Sequence, residues 1–283
     1  MFHPRRAALC LALAAALCGF RQESTVADKI IDEGRTRPEV MAHLDHLTNK
    51  IGPRLTSSDR LTKACEWAKA QFEKWGLKNC RLEEWGTFPV GFNRGPSSGL
   101  IIPGDHKEEA LTFITNSWTP GTDGPVRGPA VMGPSTEEQL EAVIPKLKGA
   151  WVLSPGAATS KDLNEKILAA YDKEGIAGLI RSGRGELILT GGNHRIDWEK
   201  LPKRVNITLL KKHFDRIKES LAKDEPLKLE FNIKNEFKKG PIPLYNVLAE
   251  IPGTEKPEEL VIVGGTSIRG TAPRGRRTTG PGP

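Results

Sequence analysis

Apolar residues recur along the chain in two periods, and the switches between them outline the elements. Thr36 followed by Pro38 makes a helix start, and Val40, Leu44, Leu47 and Ile51 then recur at helical spacing until Gly52-Pro53 stops the pattern. This predicts an amphipathic helix with Leu44 and Leu47 toward a core. A second helix is predicted from Ser58-Asp59, with Leu61, Ala64, Cys65, Ala68 and Phe72 on one face and Gly76 at its end. Residues 77–93 read as extended, and residues 95–133, rich in Gly, Pro, Ser and Thr with short apolar runs, as β-structure with many turns. Trp151-Val-Leu is a short apolar run. A helix from Ser160 carries Leu163, Ile167, Leu168 and Tyr171, the run Ile176–Ile180 follows, and another helix from about Thr208 turns Leu210, Phe214, Ile217 and Leu221 one way. Leu227, Leu229, Phe231 and Ile233 alternate strictly, which is the signature of a half-buried strand. Tyr245–Ile251 and Leu260–Val263 are predicted strands, separated by the turn-forming stretch Pro252-Gly253-Thr254-Glu255-Lys256-Pro257.

The 283 residues are 37% hydrophobic and 27% charged, with 29 Gly and 21 Pro, which suits a folded protein of one or two domains. A net charge of +7 invites a nucleic-acid reading, but its placement removes that reading. Arg5, Arg6 and Arg21 lie in residues 1–22, and Arg269, Arg274, Arg276 and Arg277 lie in residues 266–283; neither segment holds an acid, so residues 23–265 are neutral. Arg5 and Arg6 precede the apolar stretch Ala7–Phe20, whose 14 residues are too short to span a bilayer. Residues 1–22 therefore read as a secretory signal peptide, with small residues at Ala16, Cys18 and Gly19 for cleavage and no stable membrane anchor. The expected location is secreted or periplasmic. Export removes Cys10 and Cys18 and leaves Cys65 and Cys80, either paired in an oxidising compartment or held as small buried thiols, the second being favoured. Residues 266–283 contain four Gly, three Pro, four Thr and four Arg, with Ile268 the one large apolar side chain, and taken alone they read as a disordered tail.

Several stretches in order resemble the secreted zinc exopeptidases of the carboxypeptidase Q (plasma glutamate carboxypeptidase) and aminopeptidase kind. They are Leu47-Thr-Asn-Lys-Ile-Gly-Pro-Arg-Leu-Thr56, Ala64-Cys-Glu-Trp-Ala68, Phe72 to Leu77, Glu84-Trp-Gly-Thr-Phe88, Tyr245-Asn-Val-Leu-Ala-Glu-Ile-Pro-Gly-Thr254 and Glu259-Leu-Val-Ile-Val-Gly-Gly265. The resemblance implies an α/β fold: an incomplete three-layer α/β/α zinc-exopeptidase domain interrupted by a β-rich protease-associated domain. The implied divisions are a signal peptide at 1–22, the N-terminal part of the peptidase domain at 23–114, the inserted domain at 115–238, return strands at 239–265 and a tail at 266–283. In intact relatives it implies two zinc ions, a peptide or dipeptide substrate and a homodimer.

That family follows its Val-Gly-Gly strand at once with a motif of the type His-Leu-Asp-Ser-Trp, and further on with Gln-Asp-Asn-Gly, which carry zinc ligands. Ligands at the carboxyl ends of strands converge in the crevice of an open α/β sheet, where two metal ions can activate a water. Here the positions after Gly265 read Thr266-Ser-Ile-Arg-Gly270, none of them a zinc ligand. The genetic code gives a sharper reading. A coding string GGC GGC CAC CTC GAT TCG TGG GAC GGC specifies Gly-Gly-His-Leu-Asp-Ser-Trp-Asp-Gly, and loss of one C before CAC turns it into Gly264-Gly265-Thr266-Ser267-Ile268-Arg269-Gly270-Thr271. By the same rule Arg276-Arg277-Thr278-Thr279-Gly280 reads back as Ala-Gln-Asp-Asn-Gly. Residues 266–283 are therefore expected to be out-of-frame translation, the chain to lack zinc ligands and general base, and no zinc to bind it. No residue of the chain is assigned a catalytic, cofactor-binding or metal-binding role.

The remaining polar groups have plainer readings. His43-Leu44-Asp45 copies zinc-site letters and His46 follows, but these lie on the first helix and no further ligand completes a set. His106, His194 and His213 read as isolated surface residues. Gly191-Gly192-Asn193-His194 lacks the Lys-Ser/Thr of a phosphate loop and reads as a turn. Ser57, Ser58 and Asp59 suit a helix cap rather than a nucleophile. Lys211–Lys223 holds five basic and two acidic residues and reads as a solvated helix face. The competing function is a non-catalytic protein- or peptide-binding module built on the inserted domain.

Overall fold

A computed structural model describes residues 25–103, 107–156, 160–189, 191–193 and 195–265; the expected signal peptide, His106, His194 and the tail at 266–283 lie outside them. The chain divides after His46 into two units. In the first, α1 (Val26–Thr36) starts on a capping box: Thr25 Oγ1 accepts from the Asp28 amide, and the Asp28 carboxylate accepts from the Thr25 amide at 2.9 Å. It is followed by α2 (Val40–Asp45). None of the residues of either helix is buried. Leu44, expected to face a core, is 48% exposed, while His43 and His46 are half-buried. The helical period was legible, but a period names a face and not what covers it.

The second unit, from Leu47, is a mixed α/β structure. Ser58 caps α3 (Asp59–Lys74), its hydroxyl accepting from the Leu61 amide at 3.1 Å, and Leu61, Ala64 and Cys65 form the buried face as the sequence predicts. Two long strands, β1 (Lys78–Pro103) and β8 (Leu227–Glu250), pair antiparallel from Lys78↔Glu250 to Pro103↔Leu227, with register shifts that bend the ribbon. α3 packs on one end of the ribbon through Leu61, Cys65 and Leu244. Cys65 and Cys80 are both free thiols.

Between the two long strands the chain builds β2 (Glu109–Ala110), β3 (Phe113–Thr115), β4 (Pro125–Met132), α4 (Glu137–Val143), β5 (Trp151–Leu153), α5 (Lys161–Glu174), β6 (Gly178–Ser182), β7 (Val205–Leu209) and α6 (Lys211–Ala222). The eight strands form one sheet in the order β2-β1-β8-β4-β5-β6-β7-β3, with β4, β5, β6 and β7 parallel neighbours. Alternation sorts the side chains to two faces. Val131, Val152 and Leu179 pack with Leu140 of α4 and Leu163, Ile167 and Tyr171 of α5. Ala130, Trp151, Leu153, Ile180 and Ile207 pack with Phe214 and Ile217 of α6 and with the alternating Leu229, Phe231 and Ile233 of β8.

Two boundaries differ from expectation. Thr208 lies in β7, and α6 begins at Lys211, because Val205–Leu209 pairs on both sides, with β6 and with β3. Leu260–Val263 forms no strand: these four residues are 79–93% exposed. A continuous apolar run becomes a strand only where neighbours satisfy its backbone and cover both faces.

Candidate functional site

The parallel strands end together. Met132 ends β4 and Gly133 follows it, Ser154 and Pro155 follow β5, Arg181 and Ser182 end β6, and α5 starts beside them at its cap Ser160. The carboxyl ends of parallel strands, with helices on both faces, leave a crevice there. Two cavities of 420 and 780 Å³ occupy it and share Pro134, Pro155 and Phe214. The lining of the larger includes the apolar Ile167, Leu168 and Leu179 and the polar Lys161, Asn164 and Arg181. Gln139, Lys146 and Lys218 line the smaller one.

Tyr171 forms part of the larger cavity although the residue is 4% exposed. Its side chain reaches back along α5 toward the end of β4, where a β-carbon on Gly133 would come within 2.9 Å of its hydroxyl. Burial pushes the phenol up to about 12, opposed by the positive charge of Arg204, so the hydroxyl remains a proton donor. It makes no hydrogen bond among the described residues.

The residues weighed from sequence do not come together. Ser58 is the α3 cap, and Ser57 is buried with its hydroxyl donating to the Val90 carbonyl at 2.9 Å. Asp59 is held by Lys238 at 2.9 Å and Asn93 at 2.9 Å, and the Lys238 ammonium lowers its carboxyl below the usual range. His43 pairs with Glu39 one helical turn away, at 3.3 Å. Gly192 bridges to Ser117, where a β-carbon would come within 2.5 Å of the Ser117 side chain, so close backbone approach explains the glycine.

His213 departs from its surface reading. It is 6% exposed in the first turn of α6, its Nδ1 3.4 Å from Glu109 of β2. Burial lowers its pKa, with the adjacent Lys212 adding to the effect. Arg216 already pairs with Glu109, so that carboxylate offers an imidazolium little compensation. A depressed folded-state pKa contributes stability that is full above the ordinary imidazole value of 6.5 and is lost as pH falls through the lower folded value. The urea midpoint should therefore decline from neutral to mildly acidic pH, and His213→Gln should flatten part of that decline.

Arg94 is a half-buried cation. Its guanidinium donates to the Thr115 carbonyl at 2.7 Å and Ser117 Oγ at 3.1 Å, and burial pulls its pKa down to about 10. With Asn235, which donates to Thr115 Oγ1 at 3.0 Å, it ties the 115–119 segment to the ribbon, a structural role.

No group of three His, Cys, Asp or Glu among the described residues is arranged to hold a metal ion, so these residues do not fit zinc. No helix among them is long and apolar enough to cross a membrane.

No protein-family model and no curated protein matches the chain. Among solved structures it is similar to a peptidase M28 precursor from Shewanella amazonensis SB2B, with 18% identity, a TM-score of 0.48, and coverage of 82% of this chain and 54% of that one. It is also similar to an aminopeptidase from Aneurinibacillus sp. strain AM-1, with 17% identity, a TM-score of 0.42, and coverage of 80% and 51%. A third is BSAP, a zinc aminopeptidase from Bacillus subtilis, with 13% identity, a TM-score of 0.42, and coverage of 75% and 46%. The chain thus spans about half the length of these structures.

Proposed function

We propose that this chain derives from an exported zinc exopeptidase of the carboxypeptidase Q-like kind, with residues 115–238 as its inserted domain, and that as written it neither binds catalytic zinc nor hydrolyses peptides. The observation that carries the reading is the frame relation after Gly265. A single lost base converts a string encoding His-Leu-Asp-Ser-Trp and then Gln-Asp-Asn-Gly into Thr266–Gly280 as it stands. Both motifs emerge in order from one change, immediately after the run Leu260–Val263 and its two glycines. The lack of a ligand set among the described residues is compatible with this reading.

The gene itself tests the proposal. Codons 266 to 269 are expected to read ACC, TCG, ATT and CGT, and AGC or AGT at Ser267 or ATC at Ile268 would refute the frame relation. The purified chain is expected to contain no stoichiometric zinc and to show no dipeptide turnover. Zinc at one or two equivalents, together with hydrolysis abolished by a chelator, would refute the loss of function.

A further inference from the structure

The crevice at the ends of β4, β5 and β6 carries a chemistry of its own, independent of any peptidase lineage. Tyr171 is 4% exposed and lines the 780 Å³ cavity, and its hydroxyl makes no hydrogen bond among the described residues. Among the described residues the charged side chains that line the crevice are cationic: Lys161 and Arg181 line the larger cavity and Lys146 and Lys218 the smaller one that adjoins it, with the acid Glu165 3.8 Å from Lys161. The α5 N-terminus, capped by Ser160, adds the positive end of a 14-residue helix. Ile167, Leu179 and Phe214 supply an apolar wall, and the volume is that of a small-molecule site.

We propose that this crevice binds an organic carboxylate on an apolar body, with the Tyr171 hydroxyl donating to the carboxylate and Arg181 and Lys161 supplying the counter-charge. The apolar body lies against Ile167, Leu179 and Phe214. An oxyanion without such a body shares the polar half of the site alone, so inorganic phosphate separates the two contributions.

Calorimetric titration of the full chain with N-acetyl-leucine, its uncharged amide and inorganic phosphate tests this. The acid is expected to bind, with the amide and phosphate each weaker by about tenfold or more, and added salt should weaken the acid. Tyr171→Phe and Arg181→Gln should each weaken the acid by about tenfold. Because the Tyr171 hydroxyl makes no hydrogen bond among the described residues, Tyr171→Phe should do so without lowering the melting temperature, which a merely structural hydroxyl would not allow. Equal affinity for acid and amide, phosphate binding as tightly as the acid, no binding of any probe, or unchanged affinity in Tyr171→Phe would each overturn the proposal.

Discussion

Replacing Trp151 by alanine is expected to lower the unfolding free energy by about 3–5 kcal/mol. The indole is fully buried in the middle of the parallel strands. It meets Phe231 of β8 edge-on, with ring centroids 4.6 Å apart, and Nε1 donates to the Val126 carbonyl at 3.2 Å. One side chain therefore joins β5 to β4 and β8, and its removal leaves a cavity between sheet and α6 that rigid strands cannot close. Urea unfolding with an unchanged slope and a lower midpoint would establish the loss. A shift equivalent to less than about 1 kcal/mol would mean that the core collapses around the gap.

Gly128→Ala should cost about 3 kcal/mol, by the opposite mechanism. A β-carbon there would stand 2.0 Å from the Gly149 carbonyl oxygen, and the obstruction is backbone, so no flexible side chain can give way. Gly185→Ala is the matched control, since a β-carbon at Gly185 meets nothing within 4 Å. Thermal unfolding of the pair should separate them, with Gly185→Ala near the parent.

Much of the second unit was legible from residues one at a time. Ser58 and Ser160 each precede an apolar period and cap the helices α3 and α5 that follow. The alternation Leu227, Leu229, Phe231 and Ile233 is buried throughout in β8. These features are local, because a cap or a two-residue period is fixed by the chain's own stereochemistry. What failed depended on distant partners. Leu44 and Leu260–Val263 have the apolarity of buried positions but are exposed, and Thr208 belongs to β7, where β3 and β6 pair on either side. His213 lies on a polar helix stretch, whereas its partner Glu109 stands in β2, about a hundred residues earlier. The crevice was invisible for the same reason. Tyr171 registered as one apolar position in a helical stripe, and Arg181 follows an ordinary buried strand; only the sheet sets them around one space.

The β1/β8 ribbon also constrains how the molecule can be made. Every pairing from Lys78↔Glu250 to Pro103↔Leu227 joins an early segment to a late one. During synthesis the whole of β1 leaves the ribosome long before β8 exists, with the edge that β8 will cover unmatched until nearly the last described residues emerge, while the nearby β2 pairs only Leu100 and Ile101 on the other edge. Sequence-distant pairing of this kind slows folding and prolongs exposure of a sticky edge. The parallel strands β4 to β7, whose contacts are far more local, can assemble first and offer β8 a template along β4, after which β1 docks as the closing step.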